Sequence, residues 1–198
     1  MKKLFLLTFA LMLFSLSIEA QEYFYNRTLG LFMDVGVGPR IPVGGAATSQ
    51  NLGAGFDVSF SYADNEILPF FLYTTIGYQH FPGKQSFYNV TDYSSFSNNV
   101  VNVDAGARYF FPAIMENIVL LMPILEGGIS FASFKKLHMF KQGSGKQNFY
   151  EDATNIGFHV GAGFSMFMLD VITYYHYFYN NQYMSINLKV RIPIFVRL

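Results

Sequence analysis

The stretch Met184-Ser185-Ile186-Asn187-Leu188-Lys189-Val190-Arg191-Ile192-Pro193-Ile194-Phe195-Val196 decides the fold. Its even positions are all apolar, while Ser185, Asn187, Lys189 and Arg191 fall on odd ones. Successive side chains of an extended strand point to opposite faces, so period two sorts the charges onto one side. A helix would scatter them around its surface. The same alternation runs through 52–62, where Leu52, Phe56, Val58, Phe60 and Tyr62 oppose Gly53, Gly55, Asp57, Ser59 and Ser61. It recurs over 99–111, with Asn102, Asp104, Gly106 and Arg108 on the polar face, and over 155–168, with Gly157, His159, Gly161, Gly163 and Ser165 there. Less regular stretches at 28–38, 67–79, 118–133 and 171–179 complete a set of eight expected strands. Segment 171–179 is aromatic on both faces, which leaves its register open.

The connections alternate in length. Segments 39–51, 80–98 and 134–154 read as long loops, whereas 63–66, 112–117 and 169–170 read as tight turns. Only the last link, at Asn180-Asn181-Gln182, is short where the alternation calls for a loop. An even strand number with short turns at one end and longer loops at the other is the layout of a barrel that spans an outer membrane. The expected fold is therefore all-β: an eight-stranded antiparallel up-and-down transmembrane β-barrel.

The first twenty residues stand apart. Lys2 and Lys3 precede an apolar run from Leu4 to Leu16, and Ser17-Ile18-Glu19-Ala20 places a small residue before Gln21. This is the tripartite plan of a secretory signal peptide, with cleavage expected after Ala20. Residues 1–20 are accordingly assigned to the signal, 21–27 to a short periplasmic lead, and 21–198 to one barrel domain.

The polar faces carry few charges, of both signs: Asp34, Asp57, Asp104, Arg108, Glu126, Lys189 and Arg191. A soluble carrier barrel would keep its apolar face inward and its charges outward. Here the narrow Gly/Ser faces suit the inside of a small closed barrel, and the large aliphatic and aromatic faces suit lipid. Eight strands leave a lumen just wide enough for side chains to fill. Asp34 and the residues of the closing strand are neighbours in such a barrel, and the seven charges form an expected lumen network. Tyr62, Phe70, Tyr109 and Phe111 near the turns, and Tyr78, Phe81, Phe134 and Tyr183 near the loops, read as two interfacial belts. Pro69, Pro123 and Pro193 fall inside expected strands, where local bulges would absorb the missing N–H.

Composition agrees. The chain is 52% hydrophobic and 13% charged, with 13 Lys+Arg balancing 13 Asp+Glu, and it holds 23 Phe, 14 Tyr and no Cys. A neutral balance points away from a nucleic-acid partner. Without cysteine there is no disulfide, thiolate metal site, cysteine nucleophile or lipidated cysteine. His80, His138, His159 and His176 lack metal-ligand spacing, and Gly143-Ser144-Gly145-Lys146 lacks the flanking residues of a phosphate loop. No catalytic residue, cofactor or metal is expected.

The candidate interaction surface lies in the loops. Lys135, Lys136, Lys141 and Lys146 would meet lipopolysaccharide phosphates at the outer leaflet. Phe87, Tyr88 and Tyr93 make the second loop unusually aromatic for a solvated segment.

The export signal, Val160-Gly161-Ala162-Gly163-Phe164 and the closing Ile186-Asn187-Leu188-Lys189-Val190-Arg191-Ile192 resemble the small outer-membrane β-barrel domain family, with OmpA/OmpX-type and PorT-like barrels of Bacteroidota among its members. The resemblance covers 21–198. The expected role is non-enzymatic, structural or surface-presenting; the alternatives are a narrow pore, a lipid A-modifying enzyme and, from the PorT-like resemblance alone, an accessory barrel of a secretion system. Such proteins are inserted by the barrel-assembly machinery, which reads a terminal aromatic residue. This chain ends Phe195-Val196-Arg197-Leu198. Lipid A deacylases, barrels of the same size, carry His-x-Ser on a late strand. Here the run is His176-Tyr177-Phe178, with phenylalanine in the serine position.

Overall fold

The computed structural model describes residues 29–64, 67–114 and 120–197, so the expected signal segment lies outside the described residues. Eight strands follow in order: β1 (Leu29–Val43), β2 (Gly53–Asp64), β3 (Phe71–Pro82), β4 (Tyr93–Phe110), β5 (Leu121–Phe140), β6 (Phe149–Met166), β7 (Leu169–Tyr177) and β8 (Gln182–Arg197). A short 3-10 helix (Gly44–Thr48) follows β1, and helix α1 (Gln85–Val90) follows β3. Each strand pairs antiparallel with the next, and β8 closes on β1. Closure leaves no unpaired edge within the ring, which is what the interior of a bilayer demands of a sheet.

The faces sort as the alternation requires, and the usual order of a globular protein is reversed. Val37, Phe56, Ile76, Val103, Ile129, Phe164 and Leu188 point outward, and Ile129 is 68% exposed. The inward positions hold the buried polar residues, among them Asp34, Asp57, Ser59, Thr75, Asn102 and Lys189. An apolar band on every strand far exceeds the few hundred Å² that a soluble monomer leaves bare. It is the surface a hydrocarbon layer covers. Glycines inside the ring make room for its large side chains: a Cβ on Gly161 would sit 2.4 Å from the Tyr174 ring.

The strands outrun the expected segments at the loop end. β1 continues to Val43, β3 to Pro82 and β5 to Phe140, while β4 starts at Tyr93 and β6 at Phe149. Segment 134–154 is therefore mostly strand, and 39–51 and 80–98 begin or end in strand around a short helix. The cause is continued cross-strand pairing beyond the lipid: alternation weakens there because both faces meet water, but the ladder persists. Heights are uneven around the rim, with 20 residues in β5 and 9 in β7.

The prolines behave individually. Pro193 adjoins a bulge, since the β1–β8 register steps from Leu31↔Phe195 to Phe32↔Pro193. Pro123 pairs regularly with Phe164. Pro69 lies before β3, in the turn and not in a strand. The β6–β7 turn places Phe167 at φ 55, a left-handed conformation in a non-glycine residue.

Candidate functional site

The lumen is filled in layers. At the turn end, the rings of Phe32, Phe71 and Phe110 form a chain with centroids 5.9 and 4.9 Å apart. Ile124 and Ile172 are buried in the same end of the barrel. The Arg191 guanidinium lies 4.9 Å from the Phe110 ring centroid.

The next layer holds the main ion cluster. Arg108 from β4 is fully enclosed. Its Nη1 lies 2.9 Å from Asp34 Oδ2 of β1, its Nε 2.5 Å from Glu126 Oε1 of β5, and its Nη1 3.7 Å from Asp170 Oδ2 of β7. Arg191 of β8 donates from Nε to Asp34 Oδ1 at 3.0 Å and also pairs with Asp170. Tyr174 donates to Glu126 Oε2 at 2.9 Å and accepts from Lys189 Nζ at 2.7 Å. Two arginines thus share three carboxylates, an arrangement that satisfies more lone pairs than isolated pairs would.

At mid-height the partners become mostly neutral. Arg40 Nη2 lies 2.7 Å from Asp57 Oδ2, and its Nη1 donates to Asn187 Oδ1 at 2.5 Å. Gln79 donates to Asn102 at 2.7 Å, and Asn102 donates to Asp104 Oδ2 at 2.6 Å. His159 bonds Ser130 Oγ at 2.8 Å through Nδ1 and the Tyr73 hydroxyl through Nε2. A cavity of about 10 Å³, room for a single water, lies among Asp57, Asp104, His176 and Lys189. Above it, Phe81, Val100, Ala132, Phe134, Phe178 and Tyr183 close the loop end as a compact apolar cluster.

All seven charges expected in the lumen face it, but in three groups. Asp34, Arg108, Glu126 and Arg191 meet directly. Asp57 pairs with Arg40, and Asp104 lies apart with Asn102. Lys189 bonds Tyr174 rather than Asp34. Arg40 and Asp170 were expected in a loop and a turn, and both are buried in the lumen. Inward parity extended by one repeat beyond Gly38 would have found Arg40. Phe81, Phe134 and Tyr183 are not belt residues: their inward parity puts them in the apolar cluster. Tyr62, Tyr78 and Phe111 do face outward. His176 points into the lumen, stacked on Tyr183 at 4.5 Å.

Above the rim, β4, β5, β6 and α1 form a raised crown. Phe87 lies 5.0 Å from Tyr93, Tyr93 lies 4.7 Å from Phe140, and His138 stacks on Phe149 at 4.4 Å. Phe87, Tyr88 and Tyr93 are thus half-buried in a small aromatic core. Three of the four candidate lysines are engaged within the crown. Lys141 donates to the carbonyls of Tyr88 and Thr91, both at 2.8 Å, tying α1 to the β5–β6 loop. Lys146 pairs with Asp92 and Lys136 with Glu151, each at 2.8 Å. The Lys146 hydrogen bond lowers the Asp92 pKa and its own is raised in return, while the Lys136 hydrogen bond lowers that of Glu151. Lys135 extends outward with its amine 5.2 Å from the Tyr150 ring centroid.

Among the described residues no group of His, Asp and Glu side chains is arranged to hold a metal ion. No protein-family model matches the chain, and no curated protein matches it in sequence. Solved structures do. Neisserial surface protein A is similar at 16% identity and a TM-score of 0.55, over 83% of this chain and 97% of that one. Ail, the attachment invasion locus protein of Yersinia pestis, is similar at 12% identity and 0.49, over 84% and 99%. The outer membrane enzyme PagL is similar at 16% and 0.47, over 82% and 99%. What is shared is the fold of the small eight-stranded outer-membrane barrels.

Proposed function

We propose that this chain, built on the fold of the small outer-membrane barrels, is an integral outer-membrane protein without catalytic activity that acts through its crown and not through its lumen. The observation that carries this reading is the filled interior. Arg108 with its carboxylates occupies one level, and the Phe81–Phe134–Phe178–Tyr183 cluster occupies another. A solute would have to displace both. The crown, by contrast, is a folded aromatic unit held above the lipid by side-chain bonds to loop carbonyls, which suits a presented surface. Export through a cleaved signal, insertion by the barrel-assembly machinery and contact of Lys135 with lipopolysaccharide phosphates belong to the same reading.

Heat-modifiable migration and recovery in the outer-membrane fraction test the location, and a soluble periplasmic protein would overturn it. Photo-crosslinking from Phe87 and Lys135 in intact cells tests the role. A discrete adduct is expected, and a lumen that conducts in planar bilayers with no adduct from the crown overturns it.

A further inference from the structure

His176 sits where the polar lumen meets the apolar cluster that closes its loop end. Its ring stacks on Tyr183 at 4.5 Å and 16°, and Phe178 follows two residues on with the same inward parity. Tyr183 in turn lies 6.2 Å from Phe178 and 5.5 Å from Phe81, so the imidazole is packed directly against the closing rings. On its other side the His159 ring stands 5.6 Å away. His176 is 6% exposed, and among the described residues its Nδ1 has no hydrogen-bond partner.

The groups around this ring are already matched with one another. Arg40 of β1 and Lys189 of β8 bring positive charge to the same part of the lumen, and His159 of β6 is a third basic group. Two carboxylates line the cavity that His176 lines, Asp57 of β2 and Asp104 of β4. Asp57 is taken by Arg40 at 2.7 Å, while Asp104 accepts from Asn102 and lies 4.0 Å from His159 Nδ1. Tyr73 of β3 and Ser130 of β5 occupy the two nitrogens of His159, and Tyr174 of β7 bonds Glu126 of β5 and Lys189. A proton on His176 would therefore be a buried charge without a counter-ion, a costly arrangement that moving the ring into water relieves. Water lies beyond the Tyr183 side, because the Arg108 cluster and the phenylalanine chain fill the other.

We propose that His176 is an acid-sensitive latch on the loop-end cluster: when its ring takes up a proton it leaves the stack, Tyr183 and Phe178 part, and water enters the middle of the lumen. The Arg108 cluster stays in place, so the barrel is wetted from the loop end without becoming a pore. The closed form holds the neutral ring, and the opened form exposes it to water, where a histidine titrates at about 6.5. The closed form is therefore favoured above that pH and loses ground below it. The opened population rises roughly thirtyfold between about pH 7.5 and pH 5.

The chain has no cysteine, so Ser185→Cys places a single thiol on the buried face of β8, two residues from Tyr183. Its reaction with methyl methanethiosulfonate is followed on the full barrel in neutral detergent micelles. Each rate is divided by that of the exposed Gln142→Cys, which cancels the pH dependence of the thiol itself. The relative rate is expected to rise with acid by about the factor given above, and to stay low at both pH values once His176→Phe is added. Ala132→Cys, inside the apolar cluster, is the second probe where Ser185→Cys fails to show heat-modifiable migration. A relative rate that does not change with pH overturns the latch. A rise that persists with His176→Phe overturns it too, because another group then senses the acid.

Discussion

Arg108 meets carboxylates from β1, β5 and β7 with no access to water. Truncating one member of a buried ionic cluster leaves the others uncompensated, which costs about 3–5 kcal/mol. Arg108→Ala is expected to lower stability by that order, read from urea unfolding in detergent. Adding Glu126→Gln to the same variant should recover part of the loss, because one orphaned charge is gone. At Gly161, where a Cβ would meet the Tyr174 ring, Gly161→Val is expected to cost about 1–3 kcal/mol by overpacking. The same urea assay reads it. Parity along a single strand made these inward positions legible. It could not say which charges meet: Glu126 is the register partner of Arg108 on the next strand, but Asp34 and Asp170 reach it across the lumen from β1 and β7.

At the scale of the elements, the crown is where sequence reading fell short. Aromatic residues on both faces, together with Gly143 and Gly145, look like loop composition. Yet the β5–β6 ladder persists to His138↔Phe149, and its aromatic side packs on β4, where Tyr93 joins Phe140 to Phe87 of α1. That packing is a tertiary gain, invisible to alternation. Its polar straps are open to titration. Asp92 and Glu151 are held lower in the folded crown than in an unfolded chain, so the stability they add is full above about pH 5. It is lost as pH falls through their folded values. Limited proteolysis in 141–148 is expected to accelerate below about pH 4 and, at neutral pH, in high salt, since Lys146 and Asp92 are exposed. Lys141→Ala should loosen α1 at any pH, seen as faster hydrogen exchange over 85–92.

For the whole molecule, the eight strands, their antiparallel order and the outward apolar face all follow from period-two patterning, which a membrane barrel must keep along each spanning segment. Rim heights do not, because no lipid constrains the strands above it. The filled lumen leads to a prediction of its own: wild-type protein in planar bilayers should show no steady conductance. Asp104→Ala should stay silent too, because the ion cluster and the aromatic cluster both remain. Stepwise openings in the wild type would contradict the plugged interior.

The Arg108 cluster also bears on how the barrel is made. Neighbouring strands zip through short hairpins, an inexpensive sequence of local events. The cluster cannot, because Asp34 comes from the first strand and Arg191 from the last. Until that seam joins, Arg108 and its carboxylates are committed to a narrowing interior without their full set of partners. An open intermediate can pair Arg108 with Glu126 and Arg191 with Asp170, but the bonds of Asp34 to Arg108 and Arg191 form only as the ring closes. The barrel should accordingly assemble cooperatively, with variants at Asp34 or Arg191 slowing the last phase of folding and leaving the early hairpins untouched.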